Sequence, residues 1–176
     1  MRGEVEERAR RIRLLLLDVD GVLTDGSFLM GPEGEEMKAF HVRDGHGIKL
    51  LRGEGIEVGF ISGRRSRALE HRARDLGVSL VIQGVYDKVE SGQEIMKRLG
   101  VKEEETCFVG DDIGDIPLLK KVGLPVAVGD AQEEVKESAL YVTRSSGGRG
   151  AVREVCELIL RCQGRWEEIM MRYKGR

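Results

Sequence analysis

The chain has 176 residues, enough for one compact domain with a real core. Its 29 Lys plus Arg against 31 Asp plus Glu give a net charge of −2, which argues against nucleic acid as the main partner. The sequence shows no secretory signal, no apolar run long enough to span a membrane, and three cysteines without zinc-like spacing, so it reads as soluble and cytoplasmic.

In chain order, the basic stretch 8–13 alternates with apolar residues and predicts the solvated face of a short N-terminal helix. The apolar run Leu14 to Leu17 predicts a buried strand over 13–17. It ends on Asp18-Val19-Asp20-Gly21, and Thr24, Asp25 and Gly26 follow, where Thr24 and Asp25 either touch substrate or hold the base of the flap. Residues two apart on a strand share a face, so two like charges are brought close and call for a counter-charge. A divalent cation answers that need. Residues 26–45 read as a β-hairpin flap around Gly31-Pro32-Glu33-Gly34, with Phe28, Met30, Met37 and Phe40 facing either the parent domain or another subunit. Arg43 and Asp44 close the flap at a substrate mouth, and His41 and His46 lack a third metal ligand at usable spacing.

Further strands are expected at 57–61, 80–82, 106–109, 125–128 and 140–142. Helices are expected at 47–52, 66–76, 88–99, 115–121, 133–138 and 151–160. Such alternation predicts an α/β fold: a parallel sheet covered by helices on both faces, binding its ligand beyond the carboxyl ends of the strands. Those ends carry Asp18 and Asp20, then Ser62-Gly63-Arg64, then Asp87-Lys88, then Gly110-Asp111-Asp112 with Asp115.

Asp18 has the place of a nucleophile, and Asp20 that of the acid that protonates a leaving oxygen and then activates water. Asp111 completes a magnesium site with Asp18. Asp112 and Asp115 bind outer-shell water, hold Lys88 or cap a helix. Ser62, the Gly63 amide at a helix start, and Lys88 offer the positive side of a phosphate site. Arg64 and Arg149 suit a substrate carboxylate or phosphate, while the plainer reading of 147–150 is a flexible loop. Cys107 reads as a buried structural thiol. Residues 164–176 read as a polar tail, either partly disordered or a short helix.

The order Asp18-x-Asp20, Ser62, Lys88, Gly110-Asp111-Asp112-x-x-Asp115 resembles the four motifs of the haloacid dehalogenase superfamily. The flap segment 34–40, Val42-Arg43-Asp44-Gly45, Ser62-Gly63-Arg64 and Gly147-Gly148-Arg149-Gly150 are similar to a subgroup acting on phosphorylated sugar acids. The resemblance covers roughly residues 10–163 and implies a single Rossmann-like, three-layer domain capped only by a hairpin at about 26–45. It implies Mg2+ held by Asp18, the Asp20 backbone carbonyl and Asp111. It also implies a homotetramer with packed flaps and sites completed by neighbours. The implied activity is a phosphatase for an eight-carbon sugar-acid phosphate in lipopolysaccharide sugar biosynthesis. A nine-carbon acid phosphate or another sugar phosphate is the alternative substrate, and a receiver-like or degenerate domain the non-enzymatic alternative.

Overall fold

The computed structural model describes residues 2–175. A six-stranded parallel sheet is built from β1 (Leu14–Leu17), β4 (Glu57–Ser62), β5 (Leu80–Gln83), β6 (Thr106–Gly110), β7 (Leu124–Ala127) and β8 (Tyr141–Val142). Its order is β5-β4-β1-β6-β7-β8. The four leucines of β1 are fully buried, as a strand flanked on both sides and covered on both faces requires. Strand order reverses between β1 and its two neighbours, so Asp18 emerges at the switch point where such sheets bind ligands. All six strands lie where the sequence puts them, within a residue or so at each end.

The helices are α1 (Arg2–Arg10), α2 (Val42–Gly53), α3 (Arg67–Leu76), α4 (Lys88–Leu99), α5 (Ile116–Leu119), α6 (Glu133–Glu137), α7 (Ala151–Cys162) and α8 (Trp166–Lys174). Four depart from expectation. Helix α2 starts at Val42, five residues before the expected start, because burial of Ile48 and Leu51 overrides the weak propensity of Gly45 and Gly47. Residues 113–115 form a turn of 3-10 helix, leaving α5 only four residues. Two helices lie outside the expected limits 10–163: α1 buries Val5 and Ala9, and α8 buries Trp166 and Ile169. Residues 166–174 are therefore a docked helix, tied back through Arg165 and Arg172 to Glu54.

The flap is smaller than expected. Its ribbon is only β2 (Leu29–Met30) against β3 (Glu36–Met37), paired Leu29 to Met37 and Met30 to Glu36. A two-stranded ribbon without a third strand has little to hold it extended. Phe28, Leu29, Met30 and Met37 are exposed, whereas Phe40 turns back to pack on the core.

Candidate functional site

Four loops converge on a cleft of about 200 Å³ at the carboxyl edge of the sheet. Asp18, Asp20, Ser62, Gly63, Arg64, Lys88, Asp111, Asp112 and Asp115 line it. Asp18 follows β1 directly, and its amide donates to Val109 O at 3.0 Å, continuing the ladder to β6. Its side chain is buried. Lys88 opens α4, where Asp87 caps the helix by accepting from the amides of Val89 and Glu90. Lys88 Nζ reaches Asp18 Oδ1 and, at 2.5 Å, Asp115 Oδ1. Asp115 Oδ2 accepts from the Asp111 amide at 2.9 Å. Asp115 thus both caps its turn and fixes the lysine, two of the roles left open by the sequence.

The charges do not balance. Asp18, Asp111 and Asp115 bring carboxylate oxygens within 4.8 Å of one another, with Lys88 as the ammonium among them. Burial pushes the Asp18 carboxyl up to about 6, against the pull of Lys88. Burial, then the charges of Asp18 and Asp115, push Asp111 up to about 8. Burial works against the Lys88 ammonium, but Asp18 and Asp115 still hold its pKa above the usual lysine value. Asp111 Oδ1 is buried without a hydrogen-bond partner. An orphaned carboxylate oxygen inside an acidic cluster fits a hard divalent cation, which takes oxygen ligands and removes the excess charge.

Gly21 makes this closeness possible. Its φ is 100°, and a Cβ there would collide with the Asp111 carboxylate. Asp20 behaves differently from Asp18. Its side chain turns to Lys38 of the flap and lies outside the carboxylate cluster, though it still lines the cleft. Ser62 ends β4, and its Oγ accepts from the Arg64 amide at 3.2 Å. Helix α3 begins at Arg67 and is capped by Ser66, so the Gly63 amide belongs to a turn and not, as expected, to a helix start. Asp112 accepts from the amide of Ile113 at 2.8 Å, closing the same turn as Asp115.

Several expected substrate contacts are not at the cleft. Thr24 is fully buried, and its Oγ1 accepts from the amides of Gly26 (3.2 Å) and Gly21 (3.4 Å), so it holds the loop that follows β1. Asp44, one per cent exposed, accepts from the amides of Arg153 (2.8 Å) and Gly150 (3.2 Å) and fixes the start of α7. Both hold backbone rather than face the cleft, which is the second of the two roles expected of Thr24 and not the substrate role expected of Asp44, because burial leaves neither side chain open to solvent. Arg43 and Arg149 line a separate depression with His41 and Arg153, and Arg149 donates to Asp25 Oδ2 at 3.0 Å. Arg64 remains at the cleft mouth, donating to Glu36 Oε2 at 2.9 Å and stacking 4.2 Å from the Phe28 ring centre. His46 faces Tyr173 of α8 at 3.1 Å, and His41 lies 3.6 Å from Asp44, so neither joins the acidic cluster.

Sequence reading also missed residues that shape the loop. Lys38 is one. Asp130 and Glu154 are others: Asp130 accepts from the Gly147 amide at 2.8 Å, and Glu154 accepts from the amides of Arg144 and Ser145 and from the Tyr141 hydroxyl. They press residues 147–148 onto the loop that follows β1, where Gly148 N donates to Val22 O at 2.9 Å and any Cβ on Gly147 would strike Gly21 O. No local pattern in sequence announces a carboxylate that caps a distant loop.

A parallel sheet whose switch point joins a buried aspartate, a lysine and a second acidic loop defines a haloacid dehalogenase-like hydrolase, and the family model of that description matches residues 80–155. The chain is 49% identical to the 3-deoxy-D-manno-octulosonate 8-phosphate phosphatase of Yersinia pestis over 93% of its own length and 88% of the relative's. It is 48% identical to that of Escherichia coli K12, over 94% and 88%. The chain belongs to the family of 3-deoxy-D-manno-octulosonate 8-phosphate phosphatases. The crystal structure of the Yersinia pestis enzyme superposes with a TM-score of 0.92, covering 93% of this chain and 89% of that one. The enzyme from Moraxella catarrhalis, 37% identical, was solved with magnesium ion, phosphate ion and a KDO molecule; it superposes at 0.96 over 98% and 99% of the two chains.

Proposed function

We propose that this protein is a magnesium-dependent phosphoric monoester hydrolase that converts 3-deoxy-D-manno-octulosonate 8-phosphate to the free sugar acid and phosphate, a step of lipopolysaccharide sugar biosynthesis. The carrying observation is the convergence of Asp18, Lys88, Asp111 and Asp115 in one cleft, in a chain nearly half identical to phosphatases of that name. Mg2+ bound by Asp18, Asp111 and the Asp20 carbonyl supplies the positive charge that lets an anionic nucleophile approach an anionic phosphate.

In the first step an Asp18 carboxylate oxygen bonds to phosphorus. The bond from phosphorus to the sugar oxygen breaks, and that oxygen takes a proton from Asp20. Lys88 and the Ser62 hydroxyl stabilise the equatorial oxygens, which is most of phosphoryl-transfer catalysis. In the second step water gives a proton to Asp20 and bonds to phosphorus. The bond to Asp18 breaks, phosphate leaves and both carboxyl groups are restored.

Arg64 and Gly63 at the cleft mouth suit substrate contacts, and Arg43 and Arg149 suit them across a subunit boundary. The exposed apolar residues Phe28, Met30 and Met37 on a small flap support a homotetramer whose sites are completed by neighbours. No described helix is long and apolar enough to cross a membrane, and three cysteines without a disulfide support a cytoplasmic setting. The test is phosphate release with Mg2+ from a panel of sugar phosphates containing the eight-carbon and nine-carbon acid esters. Preference for the eight-carbon ester by about tenfold or more in kcat/KM is expected, equal to about 1.4 kcal/mol. Preference for the nine-carbon ester moves the assignment within the class, and equal weak rates on every member contradict it.

A further inference from the structure

Lys38 sits one residue beyond β3 in a flap whose neighbours are open to solvent, with Met37 58% exposed. Its own side chain is wholly buried. Alternation explains the orientation, since Glu36 and Lys38 share the inner face of the strand and Met37 the outer. The ammonium meets Asp20 Oδ1, lies 3.4 Å from Glu36 Oε1 and 5.7 Å from the Phe28 ring centre. Glu36 in turn accepts from Arg64, which stacks on the same ring. Enclosing an ammonium is costly unless charge and hydrogen bonds compensate it, so an idle surface lysine would extend into water instead. Asp20 is held through Oδ1, and Oδ2 accepts no hydrogen bond among the described residues.

We infer that Lys38 is a positioning residue for proton transfer: it clamps Asp20 through Oδ1, leaves Oδ2 for the leaving-group oxygen, and makes seating of the flap a condition for a well-placed acid. The inference rests on Asp20 being the acid and base of the proposed reaction. Lys38 touches neither phosphorus nor the leaving group, so its effect must pass through Asp20.

Leaving-group dependence separates this role from a merely structural one. Phenyl phosphate and 4-nitrophenyl phosphate have nearly the same shape, but phenoxide needs a proton on departure far more than nitrophenoxide. The measurement is kcat/KM for both esters with Mg2+, in the parent protein, Asp20→Asn, Lys38→Met and the double variant. Asp20→Asn should lower the phenyl-to-nitrophenyl ratio by about tenfold or more, as expected for loss of a general acid. Lys38→Met should lower the same ratio by about three- to tenfold, and should change it less than about twofold once Asp20 is Asn, since the two act as one unit. Lys38→Gln, which keeps a polar head under the flap, should shift the ratio in the same direction. If Asp20→Asn leaves the ratio unchanged, the acid role itself fails and the inference with it. If Asp20→Asn moves the ratio while both Lys38 variants lose rate equally on the two esters, the acid role stands and the inference is overturned.

Discussion

Asp18 and Asp20 look equivalent in the sequence, two carboxylates on one strand end, yet they live in different surroundings. Asp18 is buried against Lys88 and beside Asp111 and Asp115, while Asp20 is half-buried and bound to the flap. The raised carboxyls of Asp18, about 6, and Asp111, about 8, make a prediction about metal-free protein. Both lie above the ordinary unfolded aspartate value near 4, so the native state keeps protons that the unfolded chain has released. Stability therefore falls as pH rises from about 4 through 8, and the loss is complete above the folded values. In EDTA the melting temperature should drop between pH 5 and pH 8, and Mg2+ should raise it more at pH 8, where its ligands are ionised. A melting temperature that climbs with pH in EDTA, with no added effect of Mg2+, would contradict the cation site.

At the scale of elements, Asp44 joins α2 to the start of α7, and α7 carries the loop that presses on residues 21–25. Asp44→Ala removes the acceptor for two amides at a buried helix start, so urea unfolding should show a loss of about 2 kcal/mol. Asp44→Asn, which keeps one acceptor oxygen, should lose less. Equal stability for Asp44→Ala and the parent would mean that α7 does not depend on this cap. The sheet was readable because apolar runs bounded by glycine are strong strand signals, and Leu14–Leu17 permits hardly any other reading. The motif residues were readable because each sits just past such a run. The start of α2 was not, since two glycines and two histidines hide a helix that packing sustains. Thr24 was left with two roles and Asp44 was given the wrong one for a related reason: a polar residue near a motif looks the same whether it faces substrate or a backbone amide. Lys38 was invisible as a partner because its contact with Asp20 joins a flap to a loop 18 positions away.

For the whole molecule, the exposed Leu29, Met30 and Met37 gather apolar surface on one small ribbon that has no third strand. Covering that ribbon with copies of itself is the proposed homotetramer, in which neighbouring arginines would reach toward each cleft. Met37→Glu combined with Leu29→Glu should shift the sedimenting species below tetramer without unfolding the sheet, because neither side chain enters the core. It should also weaken turnover of the sugar-acid phosphate more than that of 4-nitrophenyl phosphate. A tetramer unchanged by both charges, or a parent protein that sediments as a monomer, would remove the flap from the assembly.

The proposed chemistry depends on one bond, from Asp18 to phosphorus. Steady-state release of phosphate from 3-deoxy-D-manno-octulosonate 8-phosphate, measured with Mg2+ for the parent and for Asp18→Asn, bears on it most directly. The parent should turn over and lose activity in EDTA, while Asp18→Asn should fall by about a thousandfold or more, as loss of a nucleophile does, and keep the parent's folded far-ultraviolet spectrum. Release by Asp18→Asn near the parent rate would contradict the assignment of the nucleophile and of the reaction built on it.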